Sequence, residues 1–274
     1  MLRLPYGARV RLAGRIFSSV VAPLAGWRRR IAQNVDIAWP DLTQDERARL
    51  IREVPDNVGR MLIEVWSGHD FADRLRETAF EGPGLAAFEA ARAEGRAVIL
   101  ATAHFGNYDA LRATLVRRGH DLGGLYKPMS DPGFNEVYLN AISQIGARLY
   151  PTTGRGIAGL LRYLQEGGLI GIVVDVASTK APVLSYFGQP AHTPLSAAEW
   201  AVKYDALFIP VFAVREPDGL SFRLEFHEPL AHRDPAEMMQ EMNDITEAMV
   251  RRYPTQWFWV HKRWKRGLQF DEAV

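Results

Sequence analysis

The chain has 274 residues, 47% of them apolar, with 33 Lys or Arg against 32 Asp or Glu and no cysteine. Such a length and apolar content support a sizeable core in one large domain or two small ones, and the lack of cysteine excludes a disulfide framework and fits a reducing compartment. The near-zero net charge hides a sorted distribution: residues 1–35 carry seven Arg and no acid, residues 248–270 carry six Lys or Arg and no acid, and residues 36–247 hold 20 basic and 30 acidic side chains. Basic ends around an acidic body suit anionic partners such as lipid headgroups, a phosphorylated glycolipid or an acidic carrier protein. No motif-bearing basic module accompanies them, so no nucleic-acid partner is expected.

Between Arg15 and Arg28 lie twelve uncharged residues, IFSSVVAPLAGW. A bilayer span needs about 20, so this stretch is too short to cross unaided. It reads as an anchor lying in the interface with its arginines among headgroups; the alternative is a core helix kinked at Pro23. The arginine triplet at 28–30 and the lack of a small-residue cleavage pattern around Pro23–Ala25 argue against a signal peptide. The expected organisation is a helical, membrane-associating arm over 1–35 followed by an α/β domain over 36–274.

Thr43 and Glu46 form a capping box that opens a helix with Leu50, Val54, Val58, Met61, Leu62 and Val65 on one face, with a kink expected at Pro55. Gly82-Pro83-Gly84 breaks the chain before a helix over 85–95. The apolar run Ala97–Ala103 predicts a buried strand, and Gly106 and Asn107 turn it into an amphipathic helix over 108–118. Alternation then continues with strand 122–127, helix 133–145, a short run 148–150, helix 156–166, strand 169–175 and helix 195–204. Strands 207–214 and 220–226, helix 235–252 and an aromatic run from Trp257 to Trp264 complete the pattern. This predicts an α/β fold with a mixed central sheet flanked by helices, preceded by the helical N-terminal section.

The segment AVILATAHFGNYDAL carries the chemistry, because it places His104 at a strand's C-terminal end and Asp109 five residues on. An imidazole and a carboxylate held there are the parts of a general base and its orienter, at the end of a strand where α/β folds keep their sites. Spacing alone is weak: with 7 His and 32 acids, chance supplies roughly one His-x4-acid match. A second match, His232 to Glu237, follows a different logic. Asp234 and Pro235 read there as helix N-cap and first helical position, which makes Glu237 a capping carboxylate.

AHFGNYD resembles the His-x4-acid block of lysophospholipid-type acyltransferases, specifically the bacterial lipid A late (secondary) acyltransferases. The likeness continues through NVDIAWPDLTQDERARLI, YKPMSDPGFNEVY, GRGIAGLLRYLQEGGLIGIVVD, VLSYFGQPAHTP and PTQWFWVHKRWK. Two departures are visible. The family's Asp-x-Asp stands here as Asp175-Val176-Ala177, and its Tyr-Arg-Pro as Tyr126-Lys127-Pro128, with no arginine between Gly133 and Gly146.

The resemblance implies transfer of a fatty acyl chain from a carrier thioester, acyl carrier protein or acyl-CoA, to a hydroxyl of a membrane glycolipid, a lipid A precursor first among them and a phosphatidylinositol mannoside as a related case. His104 is expected as general base with Asp109 as its orienter; Gly106, Asn107, Lys127, Arg155 and Asp175 are expected to bind substrate. The N–H groups around Gly106–Tyr108 are the expected donors to the developing oxyanion. Neither metal nor cofactor is expected, and the implied place is the cytoplasmic face of the inner membrane, as a peripheral or monotopic protein.

Two other readings stay open at this level. Gly154-Arg155-Gly156-Ile157-Ala158-Gly159 matches G-x-G-x-x-G, with Asp175 about 20 residues on, as a dinucleotide-dependent oxidoreductase requires. The fingerprint's first Gly should follow its strand directly, whereas Pro151, Thr152 and Thr153 intervene, so a glycine-rich helix start gripping a phosphate through N–H groups and Arg155 is the plainer reading. The other is a non-catalytic membrane-binding protein that kept the acyltransferase fold. The aromatic run 257–264 suits either a half-buried strand or, with Lys262, Arg263, Lys265 and Arg266, an interfacial patch.

Overall fold

A computed structural model describes residues 2–264. Helix α1 (Tyr6–Ile16) passes through a π-helical turn (Phe17–Val21) into the short α2 (Ala22–Leu24), and α3 (Trp27–Ala38) follows. Helix α4 (Gln44–Trp66) opens on the full capping box of Thr43 and Glu46. Pro55 lies inside α4, where it leaves the Ile51 carbonyl without its helical donor. The arm is packed against the body and not detached from it, since Val10, Ala13, Ile31 and Val35 are buried. Glycine permits the close approach of α1 and α4: a Cβ on Gly59 would lie 2.6 Å from the Ala13 carbonyl oxygen. The outer side of the arm carries apolar and basic side chains together, Leu12, Val20 and Leu24 being exposed beside Arg11 and Arg15. No helix among the described residues is long and apolar enough to cross a membrane.

Helix α5 (His69–Arg74), strand β1 (Ala79–Glu81) and helix α6 (Leu85–Ala93) lead to β2 (Val98–Thr102), every residue of which is buried. There follow α7 (Tyr108–Arg117), β3 (Leu122–Tyr126), α8 (Pro132–Ser143), β4 (Leu149–Pro151), α9 (Gly154–Gln165) and β5 (Leu169–Val173). A hairpin of β6 (Val183–Tyr186) and β7 (Gln189–His192) precedes α10 (Ser196–Lys203), β8 (Leu207–Arg215), β9 (Phe222–Phe226) and α11 (Pro235–Arg252). Phe187 and Gly188 at the hairpin's tip both have positive φ, 54° and 65°, as a two-residue type I′ turn requires.

Seven strands form one sheet in the order β1-β9-β8-β2-β5-β3-β4. The five from β8 to β4 are parallel, and β9 meets β8 antiparallel. The sheet is therefore mixed, with β2 at its centre and both faces covered by buried apolar side chains. Strand β2 pairs β5 in register, Thr102 opposite Val173, and the Val174 N–H donates to the Thr102 carbonyl at 2.8 Å. The two chains thus leave the sheet side by side.

The C-terminal aromatic run forms turns and not a strand; among the described residues its β-type contact is an isolated bridge between Trp257 and Phe105. Trp257, Trp259 and Trp264 are buried, packed among Tyr186 and Phe187 of the hairpin. Lys262 is exposed while Arg263 is buried, donating to the His192 carbonyl and to Thr193 Oγ1, each at 2.7 Å. Lys265 and Arg266 lie outside the described residues.

Candidate active site

His104 stands two residues beyond the end of β2, and Asp175 two beyond the end of β5. Because the strands are parallel, adjacent and in register, equal overhangs bring the two residues together. His104 Nδ1 lies 2.7 Å from Asp175 Oδ1, and the His104 backbone N–H donates to Oδ2 at 3.0 Å. The Trp257 indole N–H donates to the same Oδ2 at 2.8 Å. Burial works to raise the Asp175 carboxyl, but the adjacent His104 imidazole and its hydrogen bond, His261, and the Trp257 bond outweigh it, holding the group well below the usual carboxylate range. An ionised acceptor at Nδ1 assigns the proton to that nitrogen and leaves Nε2 as the basic one.

His261 packs edge-on against His104, with ring centroids 4.3 Å apart. Burial, with His104 beside it, pushes the His261 imidazole down to about 4, so it is neutral near pH 7. His104, Asp175 and His261 bring one metal-ligating type of atom each within 4.8 Å of one another, and the His104–Asp175 hydrogen bond already joins two of the three.

Asp109 takes a different partner. It sits in the first turn of α7, its carboxylate receiving the Arg112 guanidinium through Nη2 at 2.7 Å and Nε at 3.0 Å. Arg112 also donates to the carbonyls of Ile142 and Gly146, so the pair ties α7 to the end of α8. His104 and Asp109 line one cavity, yet the hydrogen-bonded partner of the imidazole is Asp175.

The expected substrate-binding residues divide. Asp175 is 4% exposed and stands behind His104. Asn107 is fully buried: its amide donates to Glu64 at 2.9 Å and its carbonyl oxygen accepts the Asp109 N–H at 3.0 Å, so it caps α7. The Gly106 N–H is spent on the Gln256 carbonyl at 2.8 Å. Gly106 has φ +54°, and a Cβ there would overlap the Ala213 carbonyl, which is why glycine stands at this tight turn. Lys127 is exposed on the rim of the His104 cavity. Arg155 is exposed at the start of α9 and lines neither cavity at His104.

The glycine run has a structural use. Thr153 caps α9 by accepting the Gly156 N–H at 3.2 Å, and a Cβ on Gly156 would overlap the Pro151 carbonyl of β4. It follows a three-residue edge strand and stands apart from His104. The second His-x4-acid match is likewise accounted for, since Asp234 caps α11 through the N–H groups of Ala236 and Glu237.

Two cavities converge on His104, and Tyr108 lines both. One, of about 370 Å³, runs over β3 and β5 and is bounded by Gly124, Tyr126, Tyr138 and Gly171. The other, of about 240 Å³, is walled by Trp27, Val58, Met61, Leu62 and Phe258. Trp257, Tyr108 and His261 complete the surroundings of the imidazole and were not singled out as site residues by spacing. The equal overhang of Asp175 beyond its strand was a signal in principle, but it becomes readable only once β2 and β5 are known to be neighbours.

The family description "Bacterial lipid A biosynthesis acyltransferase" matches residues 1–266. The chain is similar to a lipid A biosynthesis acyltransferase of Haemophilus influenzae, 22% identical over 94% of this chain and 81% of the relative. It is also similar to the lipid A biosynthesis lauroyltransferase of Escherichia coli, 22% identical over 97% of this chain and 88% of that one. A phosphatidylinositol mannoside acyltransferase of Mycobacterium tuberculosis is 22% identical over 68% of this chain and 60% of its own length. With a match that covers nearly the whole chain, this protein is an acyltransferase and belongs to the bacterial lipid A biosynthesis acyltransferase family.

Proposed function

We propose that the chain transfers a fatty acyl group from a carrier thioester, acyl carrier protein or acyl-CoA, to a hydroxyl of a membrane glycolipid, with a lipid A precursor as the acceptor. The observation that carries this reading is the convergence of two separate cavities on one imidazole whose Nδ1 is held by a buried carboxylate. Such a site suits two substrates meeting at one base. His104 Nε2 takes the hydroxyl proton as the oxygen attacks the thioester carbon; the C–O bond forms, the C–S bond breaks, and the proton leaves on the departing thiolate. Asp175 orients the imidazole and stabilises its charged form. The N-terminal end of α7 faces the site with the positive end of its dipole, which favours charge developing on the thioester oxygen. Asp109 acts through Arg112, by fixing α7 and the cavity wall.

The exposed Leu12, Val20 and Leu24, together with the arginines of the arm, support peripheral attachment to an anionic bilayer surface, here the cytoplasmic face of the inner membrane. A phosphatidylinositol mannoside as acceptor would use the same chemistry. The test is mass spectrometry of lipids from cells with and without the protein, joined to transfer assays on the purified chain. A glycolipid one acyl chain heavier is expected only with the protein present. Equal lipid profiles, or undiminished transfer by His104→Ala at saturating substrate, would refute the reading.

A further inference from the structure

A groove of about 870 Å³ lies beside the smaller of the two His104 cavities and shares two lining side chains with it, Asn57 and Gln256. Both are held in place: the Asn57 amide donates to the Gly106 carbonyl at 3.2 Å, and its oxygen accepts Arg215 Nε at 2.8 Å. Gln256 exchanges two hydrogen bonds with the Arg215 backbone, at 2.8 and 2.9 Å.

Seven arginines and three carboxylates line the groove. Each carboxylate already has an arginine: Asp56 has Arg60, Glu216 has Arg223 at 2.6 Å, and Glu53 is shared by Arg49 and Arg52 at 3.0 and 3.2 Å. Arg215 is taken up by Glu64 at 2.5 Å and Arg223 also by Glu225 at 2.6 Å, so the positive charge the groove can offer a ligand lies on Arg15, Arg52 and Arg252. Arg52 and Arg252 keep side chains 66% and 63% exposed, and Arg252 reaches Glu225 only at 3.5 Å. For Arg15, at the rim, no ion pair is found among the described residues. The same arm that contributes Arg15, Ser18 and Ser19 to the groove exposes Leu12, Val20 and Leu24.

We propose that this groove binds the phosphate-bearing sugar headgroup of the acceptor, with Arg15, Arg52 and Arg252 contacting phosphate while the acceptor hydroxyl reaches His104 past Asn57 and Gln256. Guanidinium forks match phosphate oxygens in geometry as well as charge, and a recess of this size admits a sugar phosphate. The inference rests on the glycolipid-acyltransferase reading above. It specifies where the acceptor's charge is held. Phosphate on a sugar headgroup and phosphate on bulk bilayer lipid share this chemistry, and the proposal commits to the former.

The test measures transfer by the full chain in nonionic detergent micelles, with a fixed acyl thioester donor. Two acceptors are compared, a phosphorylated lipid A precursor and the same lipid after phosphatase treatment. Each of Arg15→Gln, Arg52→Gln and Arg252→Gln is expected to raise KM for the phosphorylated acceptor about tenfold, with kcat changed about threefold or less and KM for the dephosphorylated acceptor unmoved. Equal KM for the two acceptors in the wild type, or equal effects of the variants on both, overturns the proposal while leaving the acyltransferase reading intact. So does an effect seen only in phosphatidylglycerol vesicles, which assigns the groove to bulk lipid, or one on the donor's KM, which makes it a donor-docking surface. If the wild type acylates neither lipid, the glycolipid reading fails, and calorimetry of the same chain with glucose 1-phosphate against glucose decides the groove separately. Phosphate-dependent binding lost in the Arg52→Gln/Arg252→Gln double variant upholds it, and no binding by the wild type ends it.

Discussion

Two carboxylates reach the neighbourhood of His104 by different routes. Asp175 arrives along the sheet, because β2 and β5 lie in register and overhang equally. Asp109 arrives along the chain, on the first turn of the helix that His104 precedes, and its oxygens belong to Arg112. The comparison teaches that nearness in sequence sets where a helix starts, whereas the hydrogen bond to an imidazole is settled by which strands are neighbours. It also separates two kinds of consequence. Losing Asp175 should act on the reaction, and losing Asp109 on the architecture around it.

The largest expected effect is that of His104→Ala, a loss in kcat of at least about 10²–10⁴ with an unchanged unfolding transition. Asp175→Asn comes next, at about 10² or more, because an amide no longer dictates which ring nitrogen carries the proton. In the His104→Ala/Asp175→Asn double variant the losses should not multiply, since the residues act as a unit. Multiplying losses would dissolve the pair. A pH measurement sharpens the same point. The folded-state pKa of Asp175 lies below its unfolded value, so its contribution to stability is complete above about pH 4 and drains as the pH falls toward the folded-state value. Asp175→Asn should remove that part of the acid dependence in equilibrium denaturation.

Asp109→Asn should leave Arg112 as an uncompensated buried charge, costing about 3–5 kcal/mol and lowering the melting temperature by on the order of 10 °C. The surviving folded protein should lose about tenfold or less in kcat. A loss in kcat matching that of Asp175→Asn, with stability unaltered, would reverse the comparison.

His261 gives a smaller effect of distinct sign in pH. The unfolded chain takes up a proton near its ordinary value of 6.5 and the folded chain only near about 4, so stability should fall as the pH drops between those values. His261→Gln should flatten that slope, and an unchanged slope would show that the imidazole is not held neutral. Smallest is His232→Ala. It removes the contact from Nε2 to the Ala206 carbonyl at 2.8 Å and the looser approach of Nδ1 to the exposed Asp205 at 3.6 Å, and should cost about 1 kcal/mol with no change in kcat.

Much of this was legible in the residues themselves. Hydrophobic periodicity and end signals are local, so the helix over 235–252 begins on its Asp-Pro cap and ends where expected, and Thr43 and Glu46 form the capping box. The strand before His104 and the helix after it were readable for the same reason. The π-helical turn at Phe17–Val21, the β6–β7 hairpin and the turns of the Trp257–Trp264 run were not, because each depends on what packs against it. In the hairpin Phe187 takes a positive φ that its own chemistry disfavours, held by its N–H bond to Glu247 at 2.7 Å and its packing against Trp259. Arm residues 1–35 show both sides of the matter, since their composition announces an apolar, basic segment while only α4 decides that Val10 and Ala13 face inward.

By itself the sequence determined the kind of fold, the position of His104 at a strand end, and the family, because pattern, caps and motif blocks are written along the chain. Tertiary structure alone decided that Asp175 holds the imidazole, that Asn107 is spent on capping, and that seven arginines from distant segments share one groove. The physical reason is that strand order and register are cooperative properties of the whole sheet. A hydrogen bond across 71 residues has no local signature until the sheet has formed.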